Sequence, residues 1–112
     1  MSGGGGNGGG GGGGGDGERV DCASLIFPTI LNSPDPEVLA QLNDGDVLNL
    51  RRPDPTKTRV EARTAADAIA GTITGGRFAD LLVCLERDVA FIAKVVSISN
   101  GLCKVEVRPR GG

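Results

Sequence analysis

The sequence between residues 89 and 107 commits this chain to an antiparallel β-sheet. Residues 89–98 are largely apolar, with Lys94 as the charged exception, which predicts a strand in the middle of a sheet. Asn100 and Gly101 form a two-residue turn signal, because both residues tolerate the positive φ that a tight hairpin requires. Residues 102–107 then alternate and predict a strand that pairs back on the first. On it we expect an inward row, Cys103, Val105 and Val107, and an outward row, Lys104 and Glu106.

Earlier segments complete a predicted order of β-α-β-β-β-α-β-β. Strands are expected at residues 24–31, 47–51, 58–63 and 68–74. Pro28 restricts the first of these to a sheet edge or a bulge. The strand at 58–63 alternates and should be half exposed, whereas that at 68–74 should present one face made of Ile69, Gly71 and Ile73. Gly71 is expected at a bulge or a tight bend of the sheet.

Two helices are predicted between these strands. Asp35 is placed as the N-cap of a short helix, because Pro36 and Glu37 follow it in the first turn. The second helix, residues 77–88, carries apolar residues at i, i+3, i+4 and i+7. This stripe consists of Phe78, Leu81, Leu82 and Leu85. The fold class is therefore α+β: a small β-barrel or rolled antiparallel sheet with two short helices.

The composition limits the folded part of the chain to one small domain. Most of the 20 glycines lie in residues 3–17, a stretch that brings almost no side chains to bury and is expected to be flexible. An artificial linker and a natural low-complexity arm both fit it. We therefore predict a disordered tail at 1–19, a single β-rich domain at 20–109 and a flexible tail at 110–112. With three Phe and no Trp or Tyr, the core must be aliphatic.

Charge is distributed unevenly along the chain, although the net charge is only −2. Residues 16–46 are strongly acidic, whereas residues 51–63 and 94–110 are both basic. The first basic segment supplies the candidate nucleic-acid-binding residues: Arg51, Arg52, Lys57, Arg59 and Arg63. Two interpretations stay open at this point. The basic segments can form an ordinary solvated surface, or together they can form one anion-binding face.

Catalytic chemistry is not indicated by the sequence. The chain has no His, which removes the commonest general base and metal ligand. We expect no enzyme activity, no cofactor and no metal site. Cys22, Cys84 and Cys103 are far apart and are expected to be buried free thiols. No apolar segment approaches the roughly 20 residues that span a bilayer, so a cytoplasmic protein without membrane contact is expected.

The region from Leu42 to Val107 resembles the HIRAN family of small barrel domains, which occur alone in bacteria and fused to DNA-repair helicases. The matching parts are the Gly45-Asp46 turn, an apolar strand that ends in Arg51-Arg52-Pro53, the strand with Gly71, the leucine-rich helix and the segment Phe91-Ile-Ala-Lys-Val. The resemblance implies a small barrel. By analogy it implies phosphate contacts from Arg51, Arg52, Lys57 and Arg59.

The end of the chain, Val107-Arg-Pro-Arg-Gly-Gly112, is similar to the tail of ubiquitin-like modifiers. That likeness implies conjugation through Gly111 and Gly112, with an activating enzyme and target proteins as partners. The first choice is instead a non-enzymatic accessory or adaptor module that binds a macromolecule, preferably nucleic acid, through its basic face. The modifier is the alternative, and a purely structural interaction module is the third hypothesis.

Overall fold

A computed structural model describes residues 20–111, and the fold is α+β as predicted. A 3₁₀ turn, Cys22–Ser24, precedes six strands and two α-helices. In chain order these are β1 (Phe27–Ile30), α1 (Pro36–Leu39), β2 (Val47–Arg51), β3 (Glu61–Arg63), β4 (Ile69–Thr72), α2 (Phe78–Glu86), β5 (Phe91–Ser99) and β6 (Leu102–Pro109). The expected flexibility of residues 1–19 lies outside the described residues, as does Gly112.

The six strands form one antiparallel sheet in the order β1-β6-β5-β2-β3-β4. The sheet curls until the segment just after β1 reaches β4, the strand at the opposite edge. Asn32, just after β1, exchanges two backbone hydrogen bonds with Thr72 of β4, at 2.8 and 2.9 Å. The Asp35 N–H also donates to the Ala70 carbonyl at 2.9 Å. Pro28 therefore lies on an edge strand as predicted, in a sheet that is rolled toward a barrel.

The β5–β6 hairpin confirms the strongest prediction from the sequence. Asn100 and Gly101 have φ values of 53° and 79°, as the tight turn requires. The inward row that was expected on β6 is completely buried. The register shifts between Val95 and Ser97, so Val96 forms a bulge and is exposed.

Helix α2 packs over the core, although its most buried residues differ from those of the predicted apolar stripe. Leu81 and Cys84 are fully buried, whereas Phe78, Leu82 and Leu85 are partly buried beside them. The helix is shorter than the predicted 77–88 and ends at Glu86. In helix α1, the Asp35 carboxylate accepts hydrogen bonds from the Glu37 and Val38 N–H groups, which confirms the predicted cap. Within residues 20–111, neither helix is long and apolar enough to cross a bilayer.

Strands β3 and β4 depart from the predictions. At 58–63 only Glu61–Arg63 pairs as a strand, and Glu61, expected on an exposed face, is buried. At 68–74, Ile69 is exposed while Gly71 and Ile73 are buried. The register between β3 and β4 shifts at this point and turns the Ile69 side chain out of the core. A Cβ on Gly71 would lie 3.1 Å from both the Asn32 carbonyl oxygen and Leu31 Cβ, which explains the glycine in this tight bend.

The cysteine prediction was wrong for two of the three residues. Cys22 and Cys84 form a disulfide between the N-terminal 3₁₀ turn and α2, across a sequence separation of 62 residues. The turn is held by the Asp21 carboxylate, which accepts from the Ala23 N–H, and it places Cys22 against the helix. Such a pairing depends on tertiary placement, which spacing along the chain does not reveal. Cys103 is the buried free thiol that was expected, and burial raises its pKa.

Leu81 and Leu82 offer a matched test of the α2 face. Leu81→Ala should lower the free energy of unfolding by about 2–5 kcal/mol, because truncation of a fully buried leucine leaves a cavity. Leu82→Ala should cost roughly half of that or less, because its side chain is already partly solvated. Urea denaturation followed by circular dichroism measures both costs. An equal loss of unfolding free energy in the two variants would show that α2 does not turn Leu81 toward the core and Leu82 partly toward solvent.

Candidate anion-binding face

Strand alternation places arginines from both basic segments on the outer surface of the sheet. In β2, Leu48 and Leu50 point into the core, so Asn49 and Arg51 point outward. In β6, Val105 and Val107 are buried, and Arg108 therefore points outward as well. Because β5 lies between these two strands, the two basic segments share one surface.

The strand register brings these arginines into adjacent rows. One row crosses the sheet from Arg108 to Ile92, Asn49 and Arg63. Arg110 lies beside this row, since its guanidinium donates to the Asn49 side-chain oxygen and its backbone N–H donates to the Ala90 carbonyl. Four arginines thus surround a neutral centre that contains Ile92 and Asn49. We call this surface the arginine face; its arginines are Arg51, Arg63, Arg108 and Arg110.

A buried carboxylate holds part of this surface in place. Glu61 on β3 accepts from the Arg59 Nε at 2.8 Å and from the Arg63 Nη2 at 2.5 Å. These hydrogen bonds, the one from Arg59 first, lower the pKa of Glu61 despite its burial, and it is only 5% exposed. Arg63 also bonds Asp67 at 3.2 Å. The carboxylate therefore fixes two guanidinium groups and neutralises part of their charge.

Arg52 and Lys57 do not join the arginine face. The Arg52 guanidinium donates to the Lys57 and Pro55 carbonyls, both at 2.9 Å, and pairs with Glu86 at 3.4 Å. Its side chain is only 16% exposed, so it holds the loop before β3 in shape. Lys57 is exposed, and it lines a separate groove together with Arg59.

The candidate residues chosen from the sequence are thus divided by the fold. Arg51, Arg59 and Arg63 lie on the outer surface of β2 and β3 or just before it, while Arg52 braces a loop. Arg108 and Arg110 were absent from that candidate set. Their signal was nevertheless present, because they belong to the second basic segment and follow the outward alternation of Lys104 and Glu106.

The chemistry available on this face is anion recognition. Guanidinium groups bind phosphate or carboxylate oxygens through paired hydrogen bonds and stay charged at all physiological pH values. Within residues 20–111, no cluster of three or more His, Cys, Asp or Glu side chains could hold a metal ion. Comparison with protein-family models, curated proteins and solved structures finds no match to this chain.

The Glu61 ion pairs should make stability depend on pH. Because the pKa of Glu61 is lower in the folded protein, its contribution is present above the ordinary glutamate pKa of 4.5 and is lost as pH falls through the lowered value. Glu61→Gln should cost about 1–2 kcal/mol at pH 7 and flatten the acid side of the stability profile. Asp67→Asn is the control, because that carboxylate is exposed and bonds Arg63 alone. Parallel acid profiles for wild type and Glu61→Gln would contradict this role.

Proposed function

We propose that this protein is a non-enzymatic binding module that recognises nucleic acid through the arginine face. The observation that carries the proposal is the meeting of Arg51 and Arg63 with Arg108 and Arg110 on one outer surface, although more than 40 positions separate the two pairs in the sequence. Guanidinium groups gathered on one surface suit a phosphate backbone, and here Arg63 is also ion-paired with Glu61 and Asp67, and Arg108 with Glu106.

The surroundings of the arginines favour phosphate contacts over base recognition. The centre of the arginine face consists of aliphatic and amide side chains, Ile92 and Asn49, without an aromatic ring on which a base could stack. Affinity should then come mainly from charge, depend steeply on salt and vary little with sequence. The partner is accordingly a phosphate backbone rather than a particular base sequence.

Membership of the HIRAN family remains a proposal that rests on the sequence motifs quoted above. A rolled sheet with two short helices is compatible with a small barrel of that kind. Of the residues that the resemblance assigns to phosphate contacts, Arg51 is exposed and available, whereas Arg52 is engaged by the loop and by Glu86. We therefore base nucleic-acid binding on the arginine face and not on the analogy.

The modifier hypothesis gains no support from the described residues. Arg110 is tied to Ala90 and Asn49, so the chain is held to the sheet up to two residues before its last position, and Gly112 lies outside the described part. A cytoplasmic location also stays a proposal. The Cys22–Cys84 disulfide counts against it, because such bonds persist mainly in oxidising compartments.

Charge reversal on β6 tests the arginine face. Anisotropy with a fluorescent oligonucleotide should show binding at low salt that weakens steeply as salt rises. Arg108→Glu should weaken binding about tenfold or more and lower the salt slope by about one. Lys104→Glu is the matched control, since it makes the same charge change on the same side of β6 but away from the four arginines, and it should weaken binding about threefold at most. Equal losses for both variants, or no binding at low salt, would refute the proposal.

Removal of the counter-charge should have the opposite effect. Glu61→Gln releases Arg59 and Arg63 from their ion pairs and adds one positive charge to the surface. We expect the same oligonucleotide to bind about two- to tenfold more tightly at low salt. An unchanged affinity would show that Arg63, the one of these two arginines that belongs to the arginine face, does not contact the oligonucleotide.

A further inference from the structure

A groove separate from the arginine face combines cationic, hydroxyl and aromatic groups. It lies between the segment before β3 and the end of β4, and its volume is about 390 Å³. Ile73 forms part of its buried floor. The side chains that give it chemical character are Lys57, Thr58, Arg59, Thr74 and Phe78. Its volume lies within the range of small-molecule sites and is too small for a folded partner.

The segment that supplies the two cations of the groove, Lys57 and Arg59, is held by hydrogen bonds. Arg59 uses its Nε to bond Glu61, and its side chain stays 55% exposed at the groove. The Lys57 carbonyl accepts from the Arg52 Nε at 2.9 Å, so the segment that carries Lys57 is braced. Within residues 20–111, the Lys57 ammonium group has no ion-pair partner. The groove is therefore lined by Lys57, which has no ion pair, and by Arg59, which has one. Together with the hydroxyls of Thr58 and Thr74, these cations match the charge and the acceptor groups of a phosphate dianion.

The groove lining also includes an aromatic ring. Of the three phenylalanines, Phe27 and Phe91 are buried in the core, whereas Phe78 is partly exposed and lines this groove. Phe78 stands at the start of α2 and packs on the core, so its ring is presented by a rigid element. A ligand that contacts both the cations and this ring needs an anionic group and a flat apolar body.

We propose that this groove binds a small aromatic phosphate monoester, with the phosphate between Lys57 and Arg59 and the ring against Phe78. The site takes a small molecule, and it is distinct from the nucleic-acid surface because none of the four arginines of that face lines it. The threonine hydroxyls of Thr58 and Thr74 donate to the remaining phosphate oxygens.

A titration of the full chain, followed by amide NMR shifts, tests this site. The probes are adenosine 5′-monophosphate and N-acetyl phosphotyrosine, with adenosine and inorganic phosphate as matched controls. At least one ester should give saturable shifts at Thr58, Ile73 and Thr74, and each control should bind about tenfold or more weakly, because it can contact only the cations or only the Phe78 ring. The ester that binds identifies the source as a nucleotide or an aryl phosphate. If neither binds, or if inorganic phosphate binds equally well and marks an adventitious ion only, the proposal is overturned.

Variants separate the groove from the arginine face. Lys57→Glu alters an exposed side chain without an ion pair, so the fold should be retained while ester binding falls about tenfold or more. Phe78→Leu keeps an apolar side chain on the core and should weaken the binding of the ester more than the binding of inorganic phosphate. Arg108→Glu should leave ester binding unchanged, whatever it does to nucleic acid. Undiminished binding in Lys57→Glu, or binding lost in Arg108→Glu, would place the ester elsewhere.

Discussion

The two-residue period of the β-strand is the constraint on which both the interior and the outer surface depend. In β2 it buries Leu48 and Leu50 and thereby turns Arg51 outward. In β6 it buries Val107 and turns Arg108 outward. Because the core is apolar and admits no charged side chain without a partner, a register slip of one residue would bury arginines. The hydrophobic requirement that seals the core therefore also assembles the arginine face.

The approach of the two sheet edges explains how strands as short as β3 and β4 can be part of a stable sheet. A β-strand edge exposes unpaired N–H and C=O groups, and the Asn32–Thr72 pair satisfies those of Thr72 where the segment after β1 meets the edge strand β4. The chain can approach this closely because Gly71 has no side chain. The Cys22–Cys84 bond adds a covalent link from the segment before β1 to α2, which shields the core on its helical side. Local backbone geometry and a distant cross-link thus support the same closed form.

Features with local signals could be predicted from the sequence, and features set by tertiary contacts could not. The Asn100-Gly101 turn and the Asp35 cap are encoded within a few residues, and both are found where expected. The burial of Glu61 was missed because the alternation of residues 58–63 places it on the polar face of a strand that looks half exposed, although its partners Arg59 and Arg63 are only two residues away. Likewise, nothing in the adjacent pair Arg51 and Arg52 distinguishes an outward arginine from one that braces a loop.

Glu61 illustrates how such a hidden contact shapes the charge of the arginine face. Two guanidinium groups held near each other repel, and a shared carboxylate offsets that repulsion and fixes their positions. The same carboxylate neutralises part of the charge that would attract an anionic ligand. It therefore orients the two guanidinium groups but weakens their electrostatic attraction for an anion. Arg108 is ion-paired with Glu106 at 3.6 Å rather than with Glu61, whereas Arg51 has no ion pair within residues 20–111. The arginine face thus combines Arg63, which two carboxylates hold in place, with Arg51, which has no ion pair within residues 20–111, a difference that charge content alone would not reveal.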